Sequence, residues 1–133
     1  ESSISALGLA NSQSKVFCAL GVHPDNCLEY SADVSRFLRD NANNAKVVAI
    51  GEIGLDYHYD LSEKEDQKKL FDYQLKLAKE LGFPVSLHIR EAFGDAMEIL
   101  RANKDVCRIS AALCIASAAA WKPRGNALIW GCT

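Results

Sequence analysis

Hydrophobic positions along this chain switch between a period near 3.6 and a period of two or less, and each switch predicts an element. Over residues 1–12, Ile4, Leu7 and Ala10 share one face of a short helix. Val16 to His23 is apolar on both faces and stops at Pro24, which predicts a strand inside a helix-covered parallel sheet. Tyr30, Val34, Phe37 and Leu38 mark the next helix, which the asparagines of 41–44 end. Val47 to Ile53 is β-branched and uncharged until Glu52, which predicts a second strand. The strongest helical stripe follows, with Leu70, Phe71, Gln74, Leu75, Leu77, Ala78 and Leu81 on one side. Ser62 and Glu65 have the S-x-x-E spacing of a capping box at its start, and Gly82 with Pro84 closes it. Val85 to Ile89 alternates Val, Leu and Ile with Ser86 and His88, the period of a strand. A last regular helix, Glu91 to Ala102, is expected to pack through Phe93, Ala96, Met97 and Leu100.

Strands alternating with helices predict a parallel α/β architecture. The body spans residues 1–105, and 106–133 form a separate tail containing no His, Asp or Glu. That tail is expected to be a poorly packed appendage, with a helix over 109–121 and, in an alternative reading, a strand over 127–130.

Composition narrows the function classes. The chain has 133 residues, one domain at most, with 49% hydrophobic and 24% charged residues. Residues 1–105 carry 12 Lys and Arg against 17 Asp and Glu, whereas 106–133 carry three basic residues and no acid. An acidic body argues against gripping nucleic acid by charge alone, although bound cations can still bring phosphates to it. Five cysteines without C-x-x-C spacing read as reduced thiols, so a cytoplasmic or nuclear location is expected. The longest uncharged run near the end, Ile109 to Trp121, is too short to span a bilayer, and no membrane partner is expected. No G-x-G-x-x-G, P-loop or G-x-S-x-G pattern is present.

The candidate chemistry lies where strands end. The first predicted strand ends in His23-Pro24, the second in Glu52 with Asp56 beyond, the third in His88 with Arg90. Glu52 and its neighbours Gly51 and Gly54 sit among apolar residues, and a carboxylate there requires a cation, a hydrogen-bonding nest or a metal. In a parallel sheet the carboxyl ends of strands share one rim, so these positions place His, Glu and His together as a metal-ligand or acid–base constellation. Taken singly, each has a plainer role: His23 as a loop histidine, His88 as a satisfied core histidine, Arg90 as a partner of Glu91 or Asp95.

The motifs G-V-H-P (Gly21 to Pro24), G-E-I-G-L-D-Y (Gly51 to Tyr57), Gln67 and Phe71 with Gln74, and H-I-R-E-A (His88 to Ala92) with Asp95 resemble the TatD family. These are metal-dependent deoxyribonucleases built on the amidohydrolase-like TIM (β/α)8 barrel, and the resemblance covers residues 1 to about 105. It implies a site with two divalent metal ions, zinc, magnesium or manganese, and DNA as substrate. Glu52 would be a catalytic carboxylate shared by the metals and His88 a catalytic metal ligand. His23 and Arg90 would bind substrate near the scissile phosphate, with Asp56 supporting that loop. The cations would offset phosphate charge, and imidazole suits a borderline ion such as zinc.

Departures from the family pattern set further expectations. The family opens with an H-x-H strand and later adds a His and an Asp, none of which has a counterpart here. The chain is therefore expected to be an incomplete barrel of about three parallel strands with flanking helices, and inactive alone. Other readings are a related hydrolase of small phosphoesters or cyclic amides, and a non-catalytic truncated chain.

Overall fold

The computed structural model describes residues 2–59, 61–105 and 113–115. In chain order they form α1 (Ser2–Ser12), β1 (Cys18–Leu20), a 3-10 turn (Pro24–Glu29), α2 (Ala32–Asn41), β2 (Val47–Asp56), α3 (Lys64–Leu81), β3 (Val85–Arg90), α4 (Phe93–Ala102) and β4 (Leu113–Ile115). The strands lie side by side in the order β1-β2-β3-β4, all parallel. This open α/β sheet is an incomplete barrel, as expected, but with a fourth strand in place of three. Leu113 to Ile115 fall inside the tail stretch expected to be helical and instead pair with Ser86 to His88. The backbone groups along the free edge of β3 reward an extended partner, which overrides a weak helical preference. The remainder of that helix and the alternative strand over 127–130 lie outside the described residues.

Two apolar clusters hold the sheet to its helices. Ile50, Ile53, Leu55, Val85 and Leu87 pack against Phe71, Leu75 and Ala78 of α3 and Ala96 of α4. Leu7 and Ala10 of α1, Leu20, Leu38 and Val47 form the second, with Leu77. Each fully buried Leu, Ile or Phe here contributes about 1.5–3 kcal/mol of transfer free energy. Helix α3 reaches both clusters, so the stripe strongest in the sequence is also the spine of the fold.

Several local expectations are corrected. The first strand is three residues long because the chain beyond it pairs with side chains: Ser3 Oγ lies 2.8 Å from the Gly21 carbonyl and 3.2 Å from its N–H. Gln74 then binds both backbone groups of Val22, accepting its N–H at 2.8 Å and donating to its carbonyl at 2.9 Å. The polar member of the α3 stripe is thus a backbone clamp. Ser62 does not cap α3: Glu63 holds the cap position with no side-chain bond, while Ser62 Oγ donates to the Asp25 carbonyl. Ile4 and Phe93 are exposed, 61% and 65%; α4 packs through Ala96 and Leu100, as expected, joined by Ile99 and by Ala92 at its N-cap. Gly82 closes α3 in the left-handed conformation, φ 72°, as its position predicts.

Lys46 fastens α1 to the sheet, its ammonium donating to the carbonyls of Gln13, Ser14 and Val16. The close approach of β2 to β3 depends on glycine. At Gly54, φ 146°, a Cβ would lie 2.0 Å from the His88 carbonyl oxygen, and at Gly51 it would lie 2.6 Å from Ser86 Cβ. That tight register sets Gly54 opposite His88 and Asp56 opposite Arg90.

Candidate metal centre

Each donor reaches the rim for a local reason. His23 is held extended by the proline after it and begins the 3-10 turn, its Nδ1 accepting the Asp25 N–H at 3.2 Å. Glu52 lies in β2, half-buried, and lines the cleft, while Ile53 beside it is buried in the core. His88 projects from β3 on the face that alternates away from Leu87. His23, Glu52 and His88 each offer a ligand atom, and these atoms all lie within 4.8 Å of one another. The His23 and His88 rings meet edge to face, centroids 4.4 Å apart. A cleft of about 250 Å3 opens beside His23 and Glu52, walled by Ser2, Ser3 and Ala6 of α1.

The ring of His88 is fixed from both ends. Nε2 lies 2.7 Å from Asp56 Oδ2 and Nδ1 lies 3.4 Å from Glu52 Oε1. The Asp56 carboxylate is acceptor-only, so Nε2 carries the proton and the Nδ1 lone pair faces Glu52 in the neutral ring. A carboxylate behind a histidine in this way fixes its tautomer and orients it as a ligand.

Asp56 has a side chain only 1% exposed. Its other contacts are the Arg90 Nε at 3.1 Å and the His58 N–H at 2.9 Å. Burial pushes its pKa up, but the bonds from His58, His88 and Arg90 outweigh burial and hold it below the usual carboxylate range. Gln67 locks its backbone, accepting the Asp56 N–H at 2.9 Å and donating to its carbonyl at 3.0 Å. So enclosed, Asp56 faces His88 and Arg90, and no oxygen of it opens toward a substrate. Burial, and then the neighbouring His88, lower the His23 pKa below its ordinary value.

Arg90 Nη2 is enclosed without a hydrogen-bond acceptor, and the guanidinium lies 4.2 Å from the centroid of the Tyr59 ring. Beyond it, Tyr57 donates to Asp95 at 2.7 Å, and Asp95 pairs with Lys68 at 3.1 Å. Burial and then the Asp95 carboxylate raise the Tyr57 pKa.

The five residues singled out in the sequence, His23, Glu52, Asp56, His88 and Arg90, therefore form one connected group. Tyr59, His58 and the Gln67 and Gln74 clamps complete its surroundings. Gln67 and Gln74 are already among the motif residues that carry the family resemblance, whereas His58 and Tyr59 are signalled in the sequence only by their place directly after the G-E-I-G-L-D-Y run.

The Glu52 carboxylate and the His88 imidazole, backed by a buried carboxylate, are donors that fit a divalent metal, with His23 beside them. The family model described as TatD related DNase matches residues 1–113. The chain belongs to the TatD family. Among its relatives, the uncharacterized metal-dependent hydrolase YabD of Bacillus subtilis is 40% identical over 86 residues, 65% of this chain and 34% of that protein. The 3'-5' ssDNA/RNA exonuclease TatD of Pantoea ananatis is 54% identical over 72 residues, 54% of this chain and 28% of that protein. The crystal structure of YJJV, a TatD homolog from Escherichia coli, superposes with a TM-score of 0.72 at 37% identity, covering 79% of this chain and 41% of that one. The chain thus spans about a third of the length of the curated relatives it matches. Among the described residues no helix is long and apolar enough to cross a membrane.

Proposed function

We infer that this TatD-family chain is part of a metal-dependent nuclease that hydrolyses phosphodiester bonds of DNA. The observation that carries the reading is the His88 ring held between Asp56 and Glu52, with His23 in the same cluster. Likeness to the Pantoea exonuclease extends the substrate to single-stranded DNA and RNA, cleaved from the 3' end.

Glu52 and His88 Nδ1 would hold the divalent metal, the carboxylate contributing negative charge and the imidazole a neutral donor. When bound, zinc, magnesium or manganese supplies positive charge and Lewis acidity beside the phosphate. His23 accepts at Nδ1, which leaves the proton of its neutral ring on Nε2 as a donor to a phosphate oxygen. Arg90 adds cationic charge on the same side, and Asp56 positions both His88 and Arg90. Residues 1–105 form the hydrolase part, to whose sheet Leu113–Ile115 add a fourth strand.

A chelator-sensitive nuclease assay tests the reading. The chain alone, with too few donors for a stable catalytic site, should cleave little DNA with added magnesium, manganese or zinc. Joined to an H-x-H strand and the later barrel strands, it should show cleavage abolished by EDTA and by Glu52→Gln, with Arg90→Ala acting mainly on KM. A completed protein that loads metal and hydrolyses small phosphoesters or cyclic amides, but no nucleic acid, would overturn it.

A further inference from the structure

One aromatic side chain stands beside the centre with no part in holding metal or phosphate. Tyr59 is 58% exposed. The Arg90 guanidinium lies over its ring, and the His58 ring meets it at 78° with centroids 4.6 Å apart. Both neighbours are pinned in turn. Asp56 holds Arg90, and it also accepts the His58 N–H. Glu91 binds His58 Nδ1 at 2.8 Å, from a backbone φ of 54° that few residues other than glycine adopt. The phenol ring is thus set by groups that also set the donors, while much of its surface remains in solvent.

We propose that Tyr59 is a stacking platform for a nucleobase flanking the scissile phosphate of a single-stranded substrate. The proposal rests on the nuclease reading above. A phosphate beside His88 and Arg90 places its neighbouring nucleotide next to Tyr59, one side chain further along the rim. A guanidinium on the ring leaves the rest of the π-surface for a base, and stacking of this kind tolerates any base identity. Bases inside a duplex are already stacked on one another, so the platform selects single strands. The competing role is structural, with Tyr59 simply shielding Arg90. In that role its loss would weaken phosphate binding whether or not a base is present.

The test uses short single-stranded oligonucleotides with added manganese, carrying phosphorothioate linkages that resist cleavage and either 2-aminopurine or an abasic spacer at the 3'-terminal position. The chain and Tyr59→Phe should bind the base-bearing strand about tenfold more tightly than the abasic one, with quenched 2-aminopurine fluorescence. Tyr59→Ala should lose both the preference and the quenching. Tyr59→Leu, which keeps bulk over Arg90, should lose them too. Equal weakening of both strands in Tyr59→Ala, or no base preference in the unsubstituted chain, would overturn the proposal and leave the nuclease reading standing. Failure of every variant to bind any strand with the metal present would sink the nuclease reading, and this proposal with it.

Discussion

His88 Nε2 lies 2.7 Å from Oδ2 of Asp56, a carboxylate whose other oxygen receives the His58 N–H. Metal affinity at Glu52 and His88 is therefore expected to depend on a residue that does not touch the metal. Asp56→Asn should lower zinc or manganese affinity about 10- to 100-fold, read by competition with a chromophoric chelator. Asp56→Ala should also strand the Arg90 charge and cost about 3–5 kcal/mol in urea unfolding. Unchanged metal affinity in Asp56→Asn would show that the contact does not orient the ring.

Gln74 satisfies both backbone groups of Val22 where β1 has already ended. Gln74→Leu keeps the apolar volume and leaves an N–H and a carbonyl without partners. The expected loss is about 2–4 kcal/mol, from about 1–3 per stranded group. Gln74→Glu, which can still accept the N–H, should lose less at low pH, where it also donates.

Two glycines with positive φ should differ sharply. At Gly54 an added Cβ meets the His88 carbonyl oxygen, whereas at Gly82 it meets nothing within 4 Å. Gly82→Ala is expected to cost about 1 kcal/mol, the conformational cost alone. Gly54→Ala also has to part β2 from β3, so about 3 kcal/mol or more is expected. Equal melting temperatures for the two variants would contradict this account.

Asp72 joins α3 to the end of α4, accepting from Lys76 Nζ at 2.6 Å and Asn103 Nδ2 at 2.8 Å. Burial pushes its pKa up, but these two bonds bring it below the ordinary Asp value. A depressed folded-state pKa gives stability that is complete above the unfolded value, near 4, and lost as pH falls through the lower folded one. Asp72→Asn should therefore lower the melting temperature at pH 7 and converge with the unsubstituted chain near pH 2. A gap that widens in acid would reverse the sign and refute the linkage.

Much of the rim was legible in the chain. Strand periods gave the parallel order, and residues that interrupt apolar runs at strand ends, His23, Glu52 and His88, are those that converge. Such interruptions carry a desolvation cost, so they signal chemistry before any coordinates are known. What stayed hidden depends on neighbours distant in sequence. Ser62 has the spacing of a cap, yet its hydroxyl is drawn to Asp25. The depth of Asp56 comes from β3 and α3 closing around it, which no local pattern records. Phe93 faces solvent because Ala92 and Ala96 meet the sheet, a rotation of the helix that its apolar count does not fix. The Tyr59–Arg90 contact joins the segment after β2 to the last residue of β3 and leaves no periodic trace.

The parallel order β1-β2-β3 has a bearing on how the protein is made. His23 just past β1, Glu52 in β2 and His88 in β3 arrive in the order in which a ribosome releases them. Each new βα unit docks on the unit just before it, so no later segment has to return to bring these three side chains together. The three side chains that make the rim can therefore meet as soon as β3 has docked, before α4 or β4 is in place.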